Sequence, residues 1–124
     1  MIEWDLLKAG LDLSGVDLVV HSAALRMISD CDKSGYLDHQ SMTLNLVNAA
    51  RRAAVPRFIY ISSQAVYGVA NTPPFHEHSQ IDPSTGYSQS KLAGELIVRT
   101  LQEGSTDWMI LRLSRLYGFA ANIR

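Results

Sequence analysis

The chain is predicted to be a single α/β domain built on a parallel sheet. Two observations point there. Apolar, β-branched or aromatic runs occur at 17–21, 57–61 and 108–113, and helical patterns fill the intervals at about 33–54 and 87–102. Strands alternating with helices argue for parallel strands joined by right-handed crossovers, with helices on the sheet faces. Ligands of such sheets sit beyond the carboxyl ends of the strands.

Each element has a local reason. Ile2 to Trp4 is a candidate short strand. Asp17 to His21 (DLVVH) opens after Gly15 and is apolar without alternation, which suits a strand buried on both faces. From Lys33 to Ala54, Leu37, Met42, Leu46, Ala49 and Ala50 fall near one face, and Arg51 and Arg52 suit the negative end of the helix dipole. Pro56 ends this helix. Arg57 to Ile61 (RFIYI) is the second strand. Ser62 to Gly86, with Pro73, Pro74 and Pro83, reads as a long polar loop, a length that usually marks function. Tyr87 to about Gln102 is the second helix, with Leu92, Leu96 and Ile97 inward and Gly104 as C-cap. Trp108 to Leu113 (WMILRL) is the third strand. The ends of the three strands, at His21-Ser22-Ala23-Ala24, Ser62-Ser63 and Leu113-Ser114, are thus expected on one rim.

Composition narrows the classes of function. With 124 residues, 47% hydrophobic and 19% charged, the chain can bury one core. A net charge of -1 and the lack of a basic run argue against nucleic acid. A lone cysteine, Cys31, excludes an internal disulfide and a Cys-rich metal site. The start, MIEWDLLKAG, is no secretory signal, and no apolar run approaches the ~20 residues that span a bilayer. A cytoplasmic protein is expected.

Chemistry concentrates at Ser63, Tyr87 and Lys91. Tyr87 and Lys91 are four apart on a helix and share a face. A nearby ammonium favours a phenolate over a phenol. A tyrosine so placed can exchange a proton with an alcohol or carbonyl oxygen. Ser63, at a strand end, could hydrogen-bond the same oxygen, and a hydride acceptor alongside would complete an alcohol–ketone oxidation. A Tyr-x-x-x-Lys pair alone is more often a helix-surface contact. Its position here, after a strand-end serine pair and a long loop, gives it weight.

RFIYISSQAVYG, YSQSKLAGE and LRLSRLYG, with VDLVVHSAA and NLVNAARRAAVPRF before them, resemble the extended short-chain dehydrogenases/reductases, the NAD-dependent epimerase/dehydratase group. The likeness covers nearly the whole chain, in the family's order. It implies a partial Rossmann-like, doubly wound parallel sheet over 1–124, binding NAD or NADP. By that likeness Ser63 is the active-site serine, Tyr87 the acid–base, and Lys91 the lysine that holds the nicotinamide ribose and favours the phenolate. Asp5-Leu6 matches a pair that meets the adenine, and Ala23 and Ala24 match small residues against the dinucleotide. Glu77, Pro83 and Arg112 match structural positions. The substrate implied is a nucleotide sugar or similar small alcohol or ketone. The two long helices imply a homodimer.

The departures matter as much. The family's Gly-x-x-Gly-x-x-Gly turn is not in this sequence, and neither is the residue that separates NAD from NADP. Phe119 stands where proline is common, and the substrate lobe that follows Tyr117-Gly118 in the family is not matched. The chain is therefore expected to be the middle part of an enzyme. Gln64 and Ala65 replace the acidic pair of the family's 4,6-dehydratases, which leaves epimerisation or oxidoreduction. His39 occupies the place of an asparagine four before Thr43, and Met42 that of a glycine, which argues against a proton relay there. His76-Glu77-His78 is expected to be a solvated loop rather than a metal site, Cys31 inert, and Tyr67 and Tyr117 packing residues. Two other readings stand beside the enzyme: a dinucleotide-binding sensor, and a fragment without activity of its own.

Overall fold

A computed structural model of the chain describes residues 3–24, 33–69 and 72–115. Strand β1 is Leu18–His21, helix α1 Lys33–Arg52, strand β2 Arg57–Ser63, helix α2 Gly86–Arg99 and strand β3 Asp107–Leu113. Short 3-10 turns follow β2 at Gln64–Tyr67 and α2 at Thr100–Glu103. The strands lie in the order β1-β2-β3, all parallel. His21 stands beside Tyr60, and Ser63 beside Leu113, so the three carboxyl ends share one rim as expected.

Two crossovers of the same hand that step the same way across a sheet put both helices on one face. The core lies there. Val19, Phe58 and Tyr60 from the strands meet Leu46, Val47 and Ala50 from α1 and Val98 from α2. The other face is open among the described residues: Leu18, Val20, Met109, Leu111 and Leu113 are exposed. This corrects the expectation that 17–21 is covered on both sides. An apolar run without alternation shows that both faces of a strand are apolar, and only the tertiary structure shows whether both are covered. Leu96, expected inward, is also exposed, as is Leu37 at the start of the α1 stripe. The apolar stripe of each helix is wider than the surface its sheet face can bury.

Local chemistry sets the helix ends. Thr85 caps α2 in a reciprocal box: its hydroxyl accepts from Ser88 N–H at 3.1 Å, and Ser88 Oγ accepts from Thr85 N–H at 3.0 Å. This starts the helix at Gly86. Its last turn tightens into the 3-10 turn and stops at Gly104, whose N–H reaches Leu101 O at 2.9 Å. Helix α1 ends in a Schellman arrangement, with Val55 N–H on Ala50 O at 3.0 Å and Ala54 N–H on Arg51 O at 3.2 Å. Ala54 takes the left-handed position, φ +49°, where glycine is usual.

Glu3 and Trp4 lie in no strand, and Ile2 is outside the described residues. The loop expected at 62–86 is shorter than read. Ser62 and Ser63 belong to β2, 64–67 coil into the 3-10 turn, and Gly86 belongs to α2. The turn closes at Gly68, φ +69°, where any Cβ would overlap the Asp82 carbonyl. Asp82 N–H also bonds Val66 O at 3.1 Å, which folds the loop back against the end of β2.

Candidate functional site

Ser63 is the last residue of β2 and the N-cap of the 3-10 turn, where its Oγ accepts from Ala65 N–H at 3.2 Å. Its own proton remains for another acceptor. Tyr87 stands in the first turn of α2, 48% exposed at the rim. Lys91, one turn on, is buried. Its ammonium donates to Ile61 O at 3.0 Å, and Nζ lies 6.0 Å from the Tyr87 ring centroid and 5.3 Å from that of Tyr60. Burial lowers the Lys91 pKa.

The tie between strand and helix is therefore Lys91 to Ile61, two residues before Ser63. Among the described residues no hydrogen bond joins Ser63, Tyr87 and Lys91 to one another directly. Ala23, half-buried, and Ala24, exposed, follow β1 on the same rim. Asp5 and Leu6 share no hydrogen bond with that group. Asp5 closes an N-terminal turn, its carboxylate accepting from Leu7 N–H at 3.0 Å, and Leu6 O accepts from Asn45 Nδ2 of α1 at 2.9 Å. His76, Glu77 and His78 are exposed, while Cys31 and Tyr117 lie outside the described residues.

Behind Lys91 lies a buried polar layer of His21, His39, Thr43 and Tyr60. Thr43 Oγ1 donates its one proton to His39 O at 3.0 Å, so His21 Nε2, 3.0 Å from Thr43 Oγ1, is the donor of its pair. Burial, with the charge on Lys91 and then His39 adding to it, holds His21 down at about 4. Burial and then the Lys91 charge also lower His39, whose ring nitrogens find no hydrogen-bond partner. Burial, reinforced by the Glu95 carboxylate, pushes the Tyr60 phenol up.

One feature of α2 escaped the sequence reading. Glu95, a turn beyond Lys91 on the same stripe, is fully buried. It accepts from Ser62 Oγ at 2.6 Å and from Arg112 Nε and Nη2 at 2.9 and 2.7 Å. Arg112 Nη1 donates to Tyr67 OH at 3.0 Å, and its guanidinium lies 5.0 Å from the Tyr67 ring. Glu95 holds Arg112 above its ordinary pKa. The Tyr87, Lys91, Glu95 spacing was visible in the sequence. The partner 17 residues away was not.

A model of the NAD-dependent epimerase/dehydratase family matches residues 2–122. The chain belongs to this family. A relative, the mouse dTDP-D-glucose 4,6-dehydratase, is 33% identical over 118 residues, covering 90% of this chain and 32% of that protein. Among solved structures, the Bordetella bronchiseptica enzyme WbmG in complex with NAD and UDP has a TM-score of 0.74 at 29% identity, over 87% of this chain and 34% of its own. RMD from Pseudomonas aeruginosa, complexed with NADPH, has a TM-score of 0.80 at 27% identity, over 91% and 42%. The chain thus spans less than half the length of each of these family members. Its parallel sheet with flanking helices matches their Rossmann-like architecture.

Proposed function

We propose that the native protein carrying this chain is an NAD(P)-dependent epimerase or oxidoreductase of nucleotide sugars or similar alcohols, and that this chain supplies its proton-transfer group. The observation that carries the reading is Lys91: an ammonium buried one turn behind a rim tyrosine, tied to the strand that ends in Ser63. Tyr87 takes the hydroxyl proton of the substrate, Ser63 donates a hydrogen bond to the same oxygen, and the Lys91 ammonium stands one turn behind Tyr87. NAD or NADP, when bound, supplies the hydride acceptor. Lys91, Tyr87 and the small side chains of Ala23 and Ala24 suit the nicotinamide end of such a cofactor, and Asp5 and Leu6 are assigned to its adenine. Because the sequence has no glycine-rich turn for the pyrophosphate, this chain by itself is expected to bind weakly.

The relatives support a nucleotide sugar as substrate: WbmG is solved with UDP, and the mouse relative is named for a dTDP-sugar. Gln64 and Ala65, in the first turn after Ser63, offer no carboxylate for elimination, so the reading stays with epimerisation or oxidoreduction despite the dehydratase relative. Leu37 and Leu44, two turns apart on α1, and Leu96 on α2 are exposed, which fits a homodimer packed on these helices. No described helix is long and apolar enough to cross a membrane. A cytoplasmic setting suits a nucleotide-sugar substrate.

In the native protein, Tyr87→Phe should lower kcat by about 10²–10⁴-fold while NADH still binds. Unchanged turnover sinks the assignment. The open sheet face favours a second reading, in which residues 1–124 alone do not hold the cofactor and so have no activity of their own. Titration with NADH, followed by nicotinamide fluorescence, decides this: a dissociation constant in the range of about 1 μM would reject it.

A further inference from the structure

The buried Glu95–Arg112 pair does more than join a helix to a sheet, because its contacts bracket Ser63. Ser62, one residue before, donates to Glu95 Oε1 at 2.6 Å. Tyr67, at the end of the turn that Ser63 caps, accepts from Arg112 Nη1 at 3.0 Å and lies under its guanidinium. Tyr67 in turn stacks on Phe75, with ring centroids 5.1 Å apart, which extends the tie into the loop. On the helix side, Glu95 is one turn from Lys91, and consecutive residues of β2, Ile61 and Ser62, receive Lys91 and Glu95 respectively. A slide or rotation of α2 would break both contacts together.

We propose that Glu95 and Arg112 are a positioning pair that fixes the register of α2 on β2, and so holds Tyr87 and Lys91 against Ser63. This rests on the catalytic reading given above for what the register serves, but the register itself can be tested without turnover. Glu95 is fully buried, with both carboxylate oxygens occupied, and Arg112 uses Nε, Nη1 and Nη2. A bidentate pair of this kind constrains orientation as well as distance. A lysine or a glutamine in either place could not reproduce it.

The experiment measures acetylation of Lys91 by acetic anhydride in this chain, read by mass spectrometry against the exposed Lys8. Amide exchange at Val47, in the core, reports global unfolding. In Glu95→Gln, Lys91 should react about 10-fold faster relative to Lys8 while Val47 stays protected, because the helix opens locally. Ser62→Ala leaves the charged pair intact and serves should Glu95→Gln fail to fold; it should give a smaller rise in the same direction. A Lys91-to-Lys8 ratio unchanged in the folded variants overturns the proposal. In the native protein, Glu95→Gln should lower kcat and raise the KM for NADH together while Val47 stays protected, because Tyr87 and Lys91 shift as one on α2, an outcome that general destabilisation does not produce. Absence of turnover in the unsubstituted protein would reject the catalytic reading, and the acetylation ratio would still decide the role of the pair.

Discussion

Acid should weaken this fold before its carboxylates titrate, through His21. The imidazole is buried beside Lys91 and held at about 4, against 6.5 for the free side chain. Between these values the unfolded chain binds a proton that the folded chain refuses, so stability falls as pH drops. Above pH 6.5 both states are neutral at this position and stability is flat. At 1.36 kcal/mol per pH unit the interval corresponds to about 3 kcal/mol, reached only near pH 4. His39, lowered by burial and Lys91, adds to the loss with the same sign. For a domain whose whole stability is of order 5–15 kcal/mol, this is a large share. Urea unfolding at steps from pH 7.5 to 4 should show a midpoint that is constant at first and then declines below about 6.5. In His21→Gln, which keeps a donor for Thr43 but cannot titrate, the decline should shrink to the part due to His39. A midpoint independent of pH over 6.5–4.5 would refute the reasoning, as would an undiminished slope in His21→Gln.

Two further outcomes follow from backbone geometry. A Cβ at Gly94 would overlap the Tyr60 hydroxyl and lie 2.5 Å from its Cζ, and Tyr60 is fully buried. Gly94→Ala should therefore cost about 1–3 kcal/mol in urea unfolding despite its gain in helix propensity. Ala54, left-handed at the end of α1, is the opposite case: Ala54→Gly should raise stability by up to about 1 kcal/mol, a net of relieved strain and greater freedom in the unfolded chain.

The strand and helix order, the rim of strand ends and the Tyr87–Lys91 stripe were all legible in the sequence, because they depend on local periodicity and short spacing. So was the stop at Gly104, although its backbone there is extended, φ -119°, and the left-handed cap falls on Ala54 instead. What the sequence could not decide was which apolar faces are covered. Leu18, Val20, Leu37 and Leu96 look like core residues by composition, yet burial depends on what packs above them. Likewise Glu95, Ser62, Tyr67 and Arg112 are distant or unremarkable in sequence. They meet because β2, β3 and α2 converge beside Ser63, and the cost of burying charge forces that meeting to be complete. Local chemistry wrote the elements and the candidate proton-transfer residues. Only the packing of one element on another decided how tightly those residues are held.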